Sequence, residues 1–340
     1  MKSTVLITGG AGYVGSHTAY LMAQKGYEVI ILDTFLHNQQ FDPHWATLIK
    51  KDFANKPTLK KIFTNHRIKA VIHFAAFIEV GKSVKDPLCF YQNNVVKTIA
   101  LLESMIKYGV KNIIFSSSCA VYGIPQYLPL NEQHPKKPIS PYGKNKLIIE
   151  MALEDFSKAY GLNYVSLRYF NAAGAMPQYG LGEQHEPETH IIPLIFRAAA
   201  RKKPFSVFGG DYQTKDGSCI RDYVHVWDLA QAHWLAYEYL KNKNSSDCLN
   251  LGTGKGFSVK QLIETTQQKC KITIETVFTQ KRPGDPPILI ADPSKAKNKL
   301  GWEPRYGLEE IITSAYAFEN RKRELKNQKS INFDQSEISR

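Results

Sequence analysis

The chain has 340 residues, of which 43% are hydrophobic, and a formal net charge of +13. This length and composition suit one large α/β unit or two modest domains and exclude a low-complexity chain, apart from a polar tail at 326–340. No run approaches the roughly 20 apolar residues of a membrane span, and the first apolar run is too short for a signal peptide, so we expect neither.

The positive charges are spread along the chain and do not alternate with aromatic residues, so we expect no nucleic-acid partner. Clusters such as Arg201-Lys202-Lys203 are interpreted as solvated surface, although a basic field also favours an anionic substrate. No pair of cysteines has the spacing of metal ligands. We therefore expect no metal, and free thiols in a reducing cytoplasm, at Cys89, Cys119, Cys219, Cys248 and Cys270.

The first 33 residues have the order strand, glycine-rich turn, helix, strand and acid. The glycines let backbone N–H groups approach a pyrophosphate, and the helix N-terminus adds its positive dipole end. The acid can bind a ribose 2′-OH and repels a 2′-phosphate, so the pattern predicts NAD rather than NADP. An ordinary strand–helix turn with incidental glycines is the alternative. The parts are a strand at 2–8, Gly9, Gly12 and Gly15, a helix at 14–25, a strand at 29–32, and Asp33.

The same alternation continues along the chain and predicts an α/β fold with a doubly wound, parallel Rossmann-type sheet. Ligands of such folds lie beyond the carboxyl ends of the strands. His73 lies within an apolar strand, and we interpret it as a core histidine rather than a ligand. The predicted elements are strands at 48–53, 70–76, 112–118 and 163–170 and helices at 91–108 and 142–160.

Tyr142 and Lys146 lie four residues apart near the start of a predicted helix, so they share one face. A free phenol titrates at about pH 10, and an adjacent ammonium lowers its pKa by stabilising the phenolate. Ser118, at the end of a strand, can hydrogen-bond the same substrate hydroxyl. The three residues are predicted to be catalytic, and a helical surface pair is the alternative interpretation of Tyr142 and Lys146.

Longer motifs resemble those of the UDP-glucose 4-epimerase family, within the extended short-chain dehydrogenases/reductases. Each motif alone is shared with other extended reductases. The loop with Asp211-Tyr212 and Asp216-Gly217 before Arg221-Asp222-Tyr223 is the more specific combination. The motifs, spread over residues 2–325, are GGAGYVGSH (9–17), HFAA (73–76), SSS (116–118), SPYGKNK (140–146), LRYFNAAG (167–174), FGGDY (208–212), RDYVHV (221–226), LNLGTG (249–254) and RPGD (282–285).

The resemblance implies an NAD-binding domain over 1–175, with a segment near 223–255 packing back onto it. A smaller mixed α/β domain over 176–325 is expected to bind the UDP-sugar. Helices 91–108 and 142–160 are expected to pair in a homodimer. The implied NAD-binding residues are Gly9, Gly12, Tyr13, Val14, Gly15, Asp33, Asp52, Phe53, Phe74, Ala75, Ala76, Asn93, Ser116, Tyr142, Lys146 and Tyr169.

For the UDP-hexose, the resemblance implies that two arginines clamp the diphosphate, an aspartate holds the ribose and a phenylalanine lies beside the uracil. Many relatives have a lysine where this chain has Ile78; Lys82 is the alternative cofactor contact. Leu289 stands at the position that gates the sugar pocket. The implied substrate-binding residues are Ser118, Tyr142, Asn171, Phe208, Arg221, Arg282, Asp285 and Leu289.

The resemblance implies interconversion of UDP-galactose and UDP-glucose by reversible hydride transfer at C4 through a 4-keto intermediate. Two alternative substrates stay open, an N-acetylated UDP-hexose and a UDP-pentose or UDP-uronate. A nucleotide-sugar dehydratase needs an Asp-Glu pair beside the active-site hydroxyl, whereas Cys119 and Ala120 follow Ser118 here. A non-catalytic NAD-binding regulator is the alternative from another class, but such proteins usually lose the Tyr/Lys pair.

Overall fold

A parallel sheet of seven strands organises the molecule, seen in a computed structural model that describes residues 3–36, 38, 41–184, 187–281 and 285–338, with side chains to 324. The sheet order is β11-β6-β5-β4-β1-β2-β3, with every pair parallel. The described strands are β1 (Thr4–Thr8), β2 (Glu28–Asp33), β3 (Thr47–Lys50), β4 (Ile68–His73), β5 (Asn112–Ser118), β6 (Asn163–Tyr169), β7 (Asn171–Ala173), β8 (Phe205–Phe208), β9 (Ile220–Arg221), β10 (Tyr223–His225), β11 (Asp247–Leu251), β12 (Phe257–Ser258), β13 (Thr276–Thr279) and β14 (Ile288–Leu289).

Helices cover both faces of this sheet. One face packs against α1, α8 and α10, and the other against α2, α5 and α6. This arrangement confirms the predicted doubly wound α/β fold. The described α-helices are α1 (Tyr13–Gln24), α2 (Lys56–Asn65), α3 (Val80–Lys85), α4 (Pro87–Phe90), α5 (Lys97–Lys107), α6 (Pro141–Tyr160), α7 (Ile191–Ala200), α8 (Val226–Lys243), α9 (Val259–Cys270), α10 (Ser294–Leu300) and α11 (Leu308–Ile338).

The sequence of β1 shows why the sheet forms. All five of its residues are buried. Val5 and Ile7 enter the core on the α1 side, whereas Leu6 enters the core on the α6 side. A strand that is covered on both faces needs such an uninterrupted apolar run, because successive side chains point to opposite sides.

A separate core forms beside the sheet, where α7, α9 and α11 pack around β8. The chain then returns to the large sheet, since α8 packs against α1 and β11 pairs with β6. The backbone of the polar tail continues α11 to Ile338. The predicted boundary at residue 175 stays a prediction. No helix in the described part of the chain combines the length and apolar character needed to cross a membrane.

Three predicted boundaries differ from the structure by three residues or more. Strand β3 ends at Lys50, so Asp52 and Phe53 lie in the following turn, and β4 ends at His73. The helix predicted from Tyr91 begins earlier, because Asp86 caps the backbone N–H of Cys89 and Pro87 occupies the first helical position of α4. A π-helical segment, Tyr91–Val96, then joins α4 to α5.

Candidate active site

The glycine-rich turn leaves no room for side chains at two of its positions. Gly9 has φ of +71°, and a Cβ there would lie 2.5 Å from the Ala75 backbone nitrogen. A Cβ on Gly15 would lie 2.2 Å from the Gly9 carbonyl oxygen. Helix α1 begins after Gly12, which has no side chain to cap it, and its first turn has no acidic residue. This N-terminus is therefore suited to an anion.

Asp33 closes β2 beside this turn, as predicted. Its carboxylate accepts hydrogen bonds from the backbone N–H groups of Ala11 at 3.0 Å and Phe35 at 2.8 Å. These two bonds fix the carboxylate across the glycine turn. Because a carboxylate can accept about four hydrogen bonds, Asp33 can also bind ribose hydroxyls.

Asp52 and Phe53, two of the residues implied to bind NAD, have different environments. Asp52 is half-exposed and forms an ion pair with Lys97 at 2.6 Å. Phe53 is buried, and its ring centroid lies 5.0 Å from that of His73. His73 bonds Thr8 and Thr98 through its two ring nitrogens, and burial lowers its pKa to about 3. The structure thus confirms His73 as a neutral core histidine.

The loop after β4, which starts with Phe74, Ala75 and Ala76, passes along the cofactor side of the sheet. The Ala75 N–H donates to the Thr8 carbonyl at 3.1 Å, and Phe74 packs against the ring of His233. Asn94, in the π-helical segment, bonds both the N–H and the carbonyl of Phe77.

Ile78, where many relatives have a lysine, follows in this loop, and Lys82, the alternative cofactor contact, lies in α3. Ile78 is 37% exposed, and Lys82 forms an ion pair with Glu79 at 2.6 Å. Asn93 accepts a bond from Lys97 and donates one to Asn94. The ammonium of Lys82 is therefore engaged by a neighbour that follows Ile78 directly in the sequence.

The three predicted catalytic residues meet where β5 ends and α6 begins. The Ser140 hydroxyl caps α6 by accepting from the Gly143 N–H at 3.1 Å, which places Tyr142 in the first turn. Lys146 is 2% exposed, and its Nζ donates to the Ser116 carbonyl at 2.6 Å. The interpretation of Tyr142 and Lys146 as a surface pair is therefore wrong, because the ammonium is buried.

The pKa shifts of this pair differ from the sequence-based expectation. Burial raises the pKa of Tyr142, and Tyr169 raises it further, while a hydrogen bond from Ser118 opposes this. Burial lowers the pKa of Lys146 to about 7. Burial, which disfavours the charged form of each group, is the largest cause of both shifts. A cation bound beside Tyr142 would oppose the shift of its pKa.

Tyr169, at the end of β6, lies near Tyr142 and is hydrogen-bonded to β5. Its hydroxyl and the Ser116 hydroxyl share a hydrogen bond of 2.5 Å. Ser116 thus contacts Tyr169 through its side chain and Lys146 through its carbonyl. The predicted cofactor-binding residues at the ends of β5 and β6 therefore lie together.

On the opposite side of the cleft, the structure joins two predicted substrate residues. Arg221 on β9 forms an ion pair with Asp285 at 2.5 Å. Leu289 on β14 lies opposite Arg221 in the strand register and packs near Cys119. The side-chain amide of Asn171 donates to the Asp222 carbonyl at 3.0 Å. Arg282 lies outside the described residues.

The Asp222 carboxylate supports this side of the cleft. It is fully buried and accepts bonds from Thr253, the Gly254 N–H and the Ala291 N–H. These contacts join the connection between β9 and β10, where Asp222 lies, to the loop after β11 and the segment after β14. Asp222 thereby fixes Arg221 and Leu289 relative to the large sheet.

A cavity of about 400 Å³ opens between α7 and β8. Phe208 and Asp285, both predicted to bind the nucleoside, line it. Its wall also contains Arg197, Arg201 and Lys203, which the sequence interpretation did not assign to a site. The sequence predicts a solvated surface for the Arg201-Lys202-Lys203 cluster, whereas Arg201 and Lys203 line the cavity. The position of the cluster directly after the apolar face of α7 could have indicated this.

Comparisons with known proteins decide the family. The chain matches the family model described as GDP-mannose 4,6 dehydratase over residues 6–315. It is 45% identical to the UDP-glucose 4-epimerase of Rhizobium meliloti, over 94% of this chain and 98% of that protein. The chain belongs to the UDP-glucose 4-epimerase family.

Solved structures agree with this assignment. The UDP-glucose 4-epimerase of Brucella ovis, in complex with NAD, has a TM-score of 0.90 at 44% identity, over 93% of this chain and 98% of that chain. The UDP-Glc/GlcNAc 4-epimerase of Campylobacter jejuni has a TM-score of 0.80 at 38% identity, over 94% and 99%. The family model carries a dehydratase description, but Cys119 and Ala120 still occupy the positions after Ser118 where dehydratases need acids.

A cluster of three titratable side chains lies near Tyr13, which follows the glycine turn. Glu183, Glu188 and His190 offer ligand atoms within 4.8 Å of one another among the described residues. The His190 ring contacts the Glu183 carboxylate, and Glu188 accepts from the backbone N–H groups of Thr189 and His190. Burial raises the pKa of Tyr13, and the Glu183 and Glu188 carboxylates raise it further. The Tyr13 hydroxyl donates to the Gly174 carbonyl.

Proposed function

We propose that the chain binds NAD and interconverts UDP-galactose and UDP-glucose by inverting C4 through a 4-keto intermediate. The observation that carries this proposal is the buried Lys146 beside Tyr142 and Ser118, at the strand ends nearest the glycine turn. The name shared by the relatives supports the same reaction. When bound, NAD accepts the C4 hydride and returns it.

The residues of the glycine turn fit this cofactor. The absence of Cβ atoms at Gly9 and Gly15 keeps the turn tight, and the start of α1, which has no side-chain cap, would present backbone N–H groups to a pyrophosphate. Asp33 supplies acceptors for a ribose. NAD, when bound, would also supply a positive charge that favours the phenolate of Tyr142.

Tyr142 is proposed to take the proton from the C4 hydroxyl and to return it on the opposite face. Ser118 hydrogen-bonds and orients that hydroxyl, since its side chain already interacts with Tyr142. Lys146 supplies positive charge and is fixed by the Ser116 carbonyl. Proton transfer by a positioned group of this kind contributes about 10²–10⁴-fold to a rate.

The UDP part is proposed to stay anchored while the sugar turns over. Arg221 would bind the diphosphate with its planar donors, aided by Arg282, and Asp285 would hold the ribose. Phe208 and the cavity beside it would take the uracil. Strong contacts to the nucleotide and weak contacts to the hexose let the same site present both faces of C4.

Incubating the protein with UDP-galactose, UDP-N-acetylgalactosamine and a UDP-pentose tests both reaction and substrate. We expect conversion of UDP-galactose to be the fastest. The dual name of the Campylobacter jejuni relative supports N-acetylated sugars as the second candidate. Equal inactivity on all three sugars, with NAD bound, would instead favour a regulatory protein.

Leu289 provides a prediction about the sugar pocket. A leucine leaves more space than an aromatic ring, so Leu289→Tyr should exclude the bulkier N-acetyl group. We expect kcat/KM for UDP-N-acetylgalactosamine to fall at least about tenfold, equivalent to about 1.4 kcal/mol, while UDP-galactose changes little. Leu289→Met serves as the control of similar volume. A parallel loss for both sugars in Leu289→Tyr would show that the residue does not gate the pocket.

A homodimer is proposed for the assembled protein. Apolar side chains remain exposed on the two helices predicted to pair, including Val96 on the π-helical segment, 62% exposed, and Met151 on α6, 57% exposed. The neighbouring Val84 and Leu88 are 62% and 66% exposed. Large exposed apolar patches of this kind mark interfaces.

Replacing Val96 and Met151 together with aspartate is predicted to convert the dimer to monomers, because two desolvated carboxylates would face each partner. Analytical ultracentrifugation at micromolar concentration measures the change. Val277→Asp, at a 46% exposed position on β13, is the matched control and should stay dimeric. A wild-type protein that sediments as a monomer would contradict the proposal.

The cellular location is proposed to be the cytoplasm. The five cysteines all lie among the described residues and form no disulfide there, and two of them, Cys219 and Cys270, are buried. Free thiols persist in reducing compartments.

A further inference from the structure

A buried carboxylate joins the two sides of the proposed catalytic site. We propose that Glu150 is a positioning residue that holds the tip of β5 in place and sets a buried negative charge one helical turn from Lys146. This inference rests on the proposed epimerase activity and adds a residue to that site.

Glu150 reaches the strand from which two of the catalytic contacts come. It lies four residues after Lys146 on α6 and is 5% exposed. Its carboxylate accepts a hydrogen bond from the Ser117 hydroxyl at 2.6 Å. Ser117 stands between Ser116, whose carbonyl binds Lys146 Nζ at 2.6 Å, and Ser118. The Glu150 carboxylate therefore fixes Ser117. The residue before it, Ser116, contacts Lys146, and the residue after it, Ser118, contacts Tyr142.

The carboxylate is itself held rigidly. Arg168 on β6, 1% exposed, donates to it from Nε at 2.8 Å and from Nη2 at 2.6 Å. The same guanidinium donates to the Tyr122 hydroxyl at 3.0 Å, and Tyr122 donates to the Asn250 side chain at 2.6 Å. The network thus ties α6 to β5, β6 and β11. A buried ion pair is a weak source of stability compared with apolar packing, so a positioning role accounts for it better.

Glu150 also supplies charge. Burial lowers the pKa of Lys146 to about 7, and the negative charge of Glu150 opposes that shift. Burial favours the neutral forms of the other titratable groups near Lys146, since it lowers the pKa of His73 to about 3 and raises the pKa of both Tyr142 and Tyr169.

The charged side chains on the other helices packed against α6 have their own surroundings. On α3 and α5, Lys85 and Lys107 are exposed to solvent. The remaining ones are paired away from Lys146, namely Lys82 with Glu79, Lys97 with Asp52, and Glu103 with Lys56. Among the residues that the structure describes, Glu150 therefore provides the negative charge that favours the ammonium.

The Glu150→Gln variant tests the charge at nearly constant shape. Removing a negative charge lowers the pKa of Lys146, so the ammonium is lost at lower pH. We expect the alkaline limb of the kcat/KM profile for UDP-galactose to move down by about one pH unit. Glu150→Asp, which keeps the charge but shortens the side chain, should lower kcat and leave the limb in place.

Two further variants separate charge from packing. Ser117→Ala removes the hydrogen bond from Ser117 to Glu150 without changing any charge. We therefore expect kcat to fall severalfold and the alkaline limb of the kcat/KM profile to stay in place. If Glu150→Gln fails to fold because Arg168 is left unpaired, Glu150→Gln/Arg168→Gln removes both buried charges together. It should show a smaller shift in the same direction, because losing the Arg168 cation offsets part of the effect and Glu150 is the charge that acts on Lys146. An unmoved limb in the folded Gln variants, or an equal shift in Ser117→Ala, would overturn the inference.

A second measurement does not need activity. NMR titration of protein labelled with ¹³Cε-lysine reports the Lys146 protonation directly, with its signal identified by its loss in Lys146→Arg. We expect the midpoint to fall in Glu150→Gln and not in Ser117→Ala. A wild-type protein inactive on UDP-galactose would remove the proposed function, whereas an unchanged Lys146 midpoint in Glu150→Gln would remove this inference alone.

Discussion

Tyr142→Phe is expected to lower kcat for UDP-galactose by about 10³-fold, because the variant loses the hydroxyl that carries the C4 proton while keeping the ring. The side chain lies in the first turn of α6, fixed by the Ser140 cap, so the fold should be unaffected. NAD should remain bound, since the glycine turn and Asp33, which are proposed to hold most of the dinucleotide, are unchanged. Coupled assay of UDP-glucose formation and absorbance of the released cofactor measure both quantities.

Tyr160→Phe is the matched control for this variant. It makes the same substitution at the other end of α6, where the side chain is 58% exposed. We expect its kcat to equal that of the wild type. A Tyr142→Phe protein that retains more than about a tenth of the activity would contradict the assignment of Tyr142 as the proton carrier, because a positioned acid–base group contributes at least about 10²-fold.

Gly15→Ala is expected to weaken NAD binding by about tenfold to a hundredfold. The new Cβ would lie 2.2 Å from the Gly9 carbonyl oxygen, so the backbone of the turn must move. Overpacking of this kind typically costs about 1–3 kcal/mol, and each 1.4 kcal/mol is about tenfold in affinity. The NAD content of the purified protein and titration of the cofactor-free protein measure the loss.

Gly81→Ala isolates the effect of the close contact. Gly81 lies in α3, and a Cβ there would meet no atom within 4 Å. The variant should bind NAD as the wild type does and be slightly more stable, because alanine favours a helix by up to about 1 kcal/mol over glycine. Equal NAD content in Gly15→Ala and Gly81→Ala would show that the turn does not hold the cofactor.

The parts of the fold that depend on neighbouring residues could be predicted from the sequence. Apolar runs such as Val29–Leu32 need two covered faces, and the glycine spacing needs a tight turn, so strand, turn and helix are predicted within a few residues. Tyr142 and Lys146 are brought together by one helical turn. The start of the helix near Tyr91 was missed because the Asp86 cap and Pro87 precede the apolar periodicity.

Contacts between distant segments could not be predicted in the same way. The sequence placed Arg221 and Asp285 at one substrate only through resemblance, and their ion pair joins residues 64 positions apart. The role of the Arg201-Lys202-Lys203 cluster depends on which way α7 faces the cavity. The pKa of Tyr142 shows the limit most clearly, because its direction is set by burial, and spacing along a helix does not measure burial.

Mixing the purified protein with UDP-galactose, without added NAD, tests directly whether the chain is an epimerase that carries its own NAD. We predict that UDP-glucose forms until equilibrium is reached. Denaturing the same sample should release about one NAD per chain, since each cycle regenerates the cofactor. Protein that carries no dinucleotide, and that converts neither UDP-galactose nor UDP-glucose after NAD is supplied, would contradict this prediction.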